Sequence, residues 1–131
     1  MIENLTRRLG EVLQERSDVR YALLFGSAVT RGPENARDLD VAVSFTSPLS
    51  LMDLGRLAAD LEAAVAREVD LIDVDEATTL LRWEIVRANT PIFVRDRDAW
   101  LELLTRVPIE RADLEPYFER ESRGLRRALR G

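Results

Sequence analysis

The sequence predicts an α/β (α+β) fold in which helices and strands alternate, and three observations carry that reading. Four short apolar segments, 19–25, 39–45, 69–74 and 91–94, have the length and bounding residues of strands. Between and around them, apolar residues recur at helical spacing. No internal repeat, low-complexity tract or Gly/Ser linker interrupts the series, and 131 residues fit one compact domain.

In chain order, Ile2, Leu5, Leu9, Val12 and Leu13 share one helical face, predicting a first helix that ends near Arg16. Val19–Phe25 reads as a buried strand, closed by Gly26-Ser27, and a short turn or helix follows up to Gly32-Pro33. Leu39–Phe45 is the second strand. Ser47 is placed as the cap and Pro48 as the first position of a helix whose apolar face is Leu51, Leu54, Leu57, Leu61 and Val65. Val69–Val74 is the third strand, and Asp75 is placed as the cap of a helix running to about Ala88 with Leu80, Leu81 and Ile85 inward. Pro91–Val94 forms a short fourth strand. Two further helices, about Ala99–Arg106 and Pro116–Leu129, complete the chain, the last with Phe118, Leu125 and Leu129 on one side. Trp83 and Trp100 are read as packing residues.

Composition then removes whole classes of chemistry. The chain has no Cys and no His, which excludes a disulfide framework, a Cys/His zinc site and the histidine-dependent triads. Its 19 basic residues are all Arg, so neither a Schiff-base lysine nor a Walker-A lysine is available. What remains is carboxylate, hydroxyl, Arg and bound metal. A net charge of −5 argues against binding nucleic acid through a general basic field. The acids concentrate in residues 38–76, whereas 120–131 hold five Arg against Glu121. No apolar run reaches membrane-span length and the first residues lack signal-peptide features, so the expectation is a cytoplasmic protein with no membrane and no direct nucleic-acid partner.

The sharpest feature is Gly26-Ser27 directly after a strand, with Asp38-Leu39-Asp40 opening the next strand eleven residues beyond Ser27. Side chains at i and i+2 of a strand share a face, so Asp38 and Asp40 point the same way. Two adjacent carboxylates repel unless one is protonated or a divalent metal favours both charges. Mg²⁺ takes one or two carboxylates together with substrate phosphates and water. Gly26 lets the backbone approach a phosphate, and the Ser27 hydroxyl adds a donor. A two-metal site needs a third acid, and Val69–Val74 offers Asp70 and Asp73. Asp70 is chosen because it stands in an apolar strand, where an unpaired carboxylate is costly. Asp73 has the opposite parity and lies near a helix start, where capping or solvation accounts for it.

Leu24-Phe25-Gly26-Ser27, Asp38-Leu39-Asp40-Val41 and Val69-Asp70-Leu71-Ile72 together resemble the three-acid signature of the DNA polymerase beta-type nucleotidyltransferase superfamily. The small size and the Leu51–Val65 helix resemble its minimal nucleotidyltransferases, the MNT family, and in particular the MntA-like antitoxins paired with HEPN ribonuclease toxins. The resemblance implies a mixed four-stranded sheet flanked by helices, with a catalytic core over about 19–95 and a C-terminal helical extension over about 96–131. It implies Mg²⁺, in two ions, held by Asp38, Asp40 and Asp70, with Asp70 assisting the attacking hydroxyl. It also implies ATP phosphates held by Gly26 and Ser27, and transfer of AMP to a tyrosine of a HEPN toxin. Two departures from the family pattern concern arginines. Arg31-Gly32 falls one position later than usual, and Arg37 replaces a Ser before the first acid. Both arginines are retained as candidate nucleotide-binding residues, Arg37 either clamping a triphosphate or neutralising Asp38 and Asp40.

Two competing readings stand beside this one. The chain can neutralise a partner by binding alone, as a non-catalytic antitoxin or adaptor. It can instead modify a small molecule, although little sequence lies beyond the core to form an acceptor pocket.

Overall fold

The computed structural model describes residues 2–130, with side chains described for 2–116. The elements are α1 (Ile2–Gln14), β1 (Val19–Phe25), α2 (Ser27–Thr30), a 3₁₀ turn at Pro33–Asn35, β2 (Asp38–Phe45), α3 (Leu51–Val65), β3 (Glu68–Asp73), α4 (Thr79–Ala88), β4 (Thr90–Val94) and α5 (Arg97–Arg130). The four strands form one mixed sheet in the order β3-β2-β1-β4. β1 is antiparallel to both β2 and β4, and β2 is parallel to β3. The expected mixed four-stranded sheet flanked by helices is therefore present.

The central strands β1 and β2 are covered on both faces, which is why they read as near-continuous apolar runs. On one face, Leu5, Leu9 and Leu13 of α1 and Leu57, Leu61 and Val65 of α3 pack on Ala22, Leu24, Leu39, Val41 and Val43. On the other, Ile85 of α4 and Leu103 and Val107 of α5 pack on Tyr21, Leu23, Phe25 and Ala42. Trp83 and Trp100 pack against this second core, as expected, and the Arg111 guanidinium lies 4.8 Å from the centre of a Trp83 ring.

Several boundaries depart from expectation for identifiable reasons. α3 is capped by Ser50, whose hydroxyl accepts from the Asp53 amide at 3.1 Å, leaving Ser47 and Pro48 in the preceding loop. α4 is capped by Thr78 through the Leu81 amide at 3.2 Å. Asp75 does not cap, because its carboxylate is engaged by Arg20 at 3.1 Å and by the buried Ser44 hydroxyl at 2.9 Å. The two expected C-terminal helices are one continuous helix, with Pro108 and Pro116 inside it. Leu103 and Val107 anchor that helix to the sheet just before Pro108. Across the proline turn, Arg106 bridges Glu102 at 3.2 Å and Glu110 at 3.9 Å. The side chains of Phe118, Leu125, Leu129 and the arginine-rich tail lie outside the described residues. No helix among the described residues is long and apolar enough to cross a membrane.

Candidate active site

Strand pairing brings the predicted residues to one end of the sheet. Phe25 pairs with Asp40 across the β1–β2 ladder, so Gly26 emerges beside the Asp40 carboxylate. Asp38 pairs with Glu68, and Asp40 with Asp70, across the parallel β2–β3 ladder. Paired residues and residues two apart share a face, so Asp38, Asp40 and Asp70 all project from the α4/α5 side. Asp73 has the opposite parity, and its Oδ1 accepts from the Asp75 amide at 3.0 Å, where it shapes the turn after β3.

The approach of Gly26 to Asp40 is close enough to dictate the residue. Gly26 has φ +76° and ψ −154°, a conformation almost confined to glycine. A Cβ at this position would fall on the Asp40 carboxylate. The Gly26 carbonyl accepts from the Val29 and Thr30 amides, each at 3.1 Å, and from the Thr30 hydroxyl at 3.3 Å, which winds α2 tightly from the end of β1. Gly32, with φ +93°, turns the chain away, and the Asn35 side chain donates to the Arg31 carbonyl at 3.0 Å to hold that bend.

Electrostatically, the pair is under the tension foreseen for an unshared carboxylate cluster. Burial raises the Asp40 carboxyl above the ordinary aspartate range, and the charges of Asp70 and Asp38 push it further up. Asp38 and Asp70 are exposed. The exposure of Asp70 corrects the reason given for choosing it: β3 is an edge strand, so this carboxylate is hydrated rather than buried. Its register opposite Asp40 is what sets it apart from Asp73. No three acidic side chains among the described residues converge tightly enough to enclose a cation with protein atoms alone. The donor set nevertheless fits Mg²⁺, which completes its shell with water and phosphate oxygens, and a cation would relieve the repulsion that raises Asp40.

The two arginines separate. Arg31 lines a cleft of about 580 Å³ that also contains Gly26 and Ser27. Arg37 is exposed and makes no ion pair among the described residues. Glu62 and Glu68 belong to the acidic stretch 38–76 but were not among the site residues expected from the sequence. With Asp38 and Asp70 they line a hollow of about 150 Å³ beside the acids, and Glu62 accepts from the Val69 amide at 3.3 Å. Glu68 shares the parity of Asp70 and was readable on that ground, whereas Glu62 comes from the end of α3 and left no sequence signal.

Comparisons with known proteins bear on the family and the fold. Residues 7–98 match the family described as polymerase beta, nucleotidyltransferase. A candidate protein adenylyltransferase of Methanocaldococcus jannaschii is 31% identical over 85 residues, covering 65% of this chain and 90% of that protein. Among solved structures, a toxin–antitoxin complex with AMP-PNP contains a chain that superposes with a TM-score of 0.72 at 20% identity, covering 96% of this chain and 98% of that one. The complex of a tri-AMPylated Shewanella oneidensis HEPN toxin with an MNT antitoxin contains another, with a TM-score of 0.70 at 20% identity over the whole of both chains. At these identities the structural likeness is one of fold.

Proposed function

This chain belongs to the polymerase beta nucleotidyltransferase family and is a nucleotidyltransferase, and from that premise we propose that it transfers AMP from ATP to a tyrosine of a HEPN-type ribonuclease toxin, acting as its antitoxin. We read residues 1–131 as one minimal nucleotidyltransferase domain, with the core over about 19–95 and a helical extension beyond it. The observation that carries the reading is the register that sets Asp40 opposite Asp70 while Gly26 abuts Asp40. A phosphate-approaching backbone and a carboxylate cluster then share one corner of the sheet. The 31% identity to a candidate protein adenylyltransferase supports protein as the acceptor class. The fold likeness to antitoxins in HEPN complexes supports the partner.

Each residue has a task in this reading. Gly26 and Ser27 hold the ATP phosphates through backbone amides and a hydroxyl, and Arg31 adds charge from the neighbouring cleft. Asp38 and Asp40, with Asp70, would hold Mg²⁺, which supplies Lewis-acid polarisation of the α-phosphate and of the incoming hydroxyl. Asp70 orients the acceptor and takes its proton. The acceptor oxygen bonds to the α-phosphorus as the bond to the oxygen bridging the β-phosphate breaks, and pyrophosphate departs with that electron pair. A tyrosine hydroxyl, with an ordinary pKa of about 10, needs such assistance to attack at neutral pH. AMP on the toxin would then block RNA by bulk and negative charge.

Co-expression with the proposed HEPN partner, followed by intact-mass analysis, tests the proposal. The parent adds AMP masses to the toxin, and the Asp38→Asn/Asp40→Asn double variant adds none. If the double variant restores growth at normal expression while the toxin stays unmodified, neutralisation is by binding alone.

A further inference from the structure

The cleft beside Gly26 has a second wall. Opposite Gly26, Ser27 and Arg31 stand Glu84, Arg87 and Ala88 from the last turns of α4. α4 crosses the same face of the sheet as the acids and ends near Gly26, since Thr90, just beyond it, pairs with Leu24 near the end of β1. Two guanidinium groups and one carboxylate therefore meet in a space that shares Gly26 with the acid cluster. Among the described residues, neither arginine is committed outside the cleft. Arg31 has no ion pair among the described residues. The partner of Arg87 is Glu84 at 3.7 Å, with side chains 61% and 55% exposed, an arrangement worth little energetically.

We propose that Arg87 of α4, facing Arg31 across this cleft, binds the β- and γ-phosphates of the nucleotide and so holds the leaving pyrophosphate. The inference rests on the nucleotidyltransferase reading and deepens it. With the α-phosphorus at the acids, the neighbouring cleft receives either the neutral nucleoside or the polyanionic end. Two arginines, whose forked donors match phosphate oxygens, select the polyanion. Glu84 sets a counter-charge that limits the affinity. The alternative task for Arg87 is local, since it lies in the last turn of α4 and complements the helix dipole there.

Calorimetry on the full chain with Mg²⁺ separates these roles, using α,β-methylene-ATP and AMP as the two probes. Arg87→Gln weakens triphosphate binding about tenfold and leaves AMP binding within about twofold, the size of one lost hydrogen bond to a charged group. Arg87→Lys falls between parent and Arg87→Gln. Glu84→Gln tightens triphosphate binding about two- to threefold, a gain that a merely damaged fold does not give. Equal weakening of both probes by Arg87→Gln would mean that the cleft takes the nucleoside, and the inference is then wrong. A variant that loses thermal stability without loss of triphosphate affinity would reduce Arg87 to a helix-end charge and overturn it equally. If the parent binds neither probe, the proposed transfer of AMP from ATP falls and takes this inference with it. If the parent binds both and only the Arg87 effect is missing, that reading stands.

Discussion

Asp40 bears most of the electrostatic strain of the site, and its replacement separates catalysis from stability. Its folded-state pKa is raised, so the charged form opposes folding. That penalty is absent below the unfolded aspartate value of about 3.9, grows as pH rises through the folded value, and is complete above it. Asp40→Asn is therefore expected to abolish AMP transfer yet raise the melting temperature in metal-free buffer near pH 7. The difference from the parent should vanish near pH 3, and melting curves across that range with a chelator check the sign. Gly26→Ala acts in the opposite sense. It forces an L side chain into a glycine-only conformation and onto the Asp40 carboxylate, so it should cost roughly 1–3 kcal/mol in chemical denaturation and lose nucleotide binding as well. The identities of Gly26, Asp38, Asp40 and Asp70 were legible because strand parity and a Gly-Ser break are local patterns. The need for glycine at 26 was not, because it depends on which strand lies beside β1.

At the scale of elements, β3 offers the sharpest test of register. Asp70 and Asp73 differ in parity, and only Asp70 pairs with Asp40. Asp70→Asn should abolish turnover while leaving nucleotide binding measurable, and Asp73→Asn should retain near-parental activity because the Asn oxygen still accepts from the Asp75 amide. A larger loss at Asp73 in a transfer assay would show that the register is misjudged. α3 offers a stability test away from the chemistry. Ala66 closes the helix with φ +55°, a left-handed conformation that costs a residue with a Cβ, so Ala66→Gly should stabilise the chain by about 0.5–1 kcal/mol in urea unfolding. The strands were readable from their apolar runs to within one residue, and each helix from its apolar spacing, because burial on one or both faces imposes those patterns. Helix starts were less readable. Ser47 and Asp75 have cap-type side chains, but the caps are Ser50 and Thr78, and Asp75 is held away from that role by Arg20 and Ser44. The long α5 was divided wrongly because the anchoring of Leu103 and Val107 outweighs the local preference of proline to end a helix.

For the whole molecule, the mixed topology is what assembles the site. The antiparallel β1–β2 pair carries Gly26 to the acids, and the α3 crossover lays β3 parallel so that a third acid arrives in register. Contacts made across long sequence separations were invisible beforehand. Arg95, for example, donates to the carbonyls of Gln14 at 2.9 Å and Val19 at 2.7 Å, fastening β4 to the end of α1. The same topology puts the acids at a rim rather than in a recess, since Asp70 lies on an edge strand and both Asp38 and Asp70 are exposed. Water reaches that rim as readily as any hydroxyl. On the proposed function, a bound nucleotide awaiting a protein acceptor should therefore be spent idly, ATP and water giving AMP and pyrophosphate. The chain alone, with Mg²⁺ and ATP, should release pyrophosphate slowly, the Asp38→Asn/Asp40→Asn variant should not, and adding the acceptor protein should divert the flux. In the proposed reaction, fidelity would then belong to the encounter: a protein partner that covers the rim would act as the lid that the described residues do not provide.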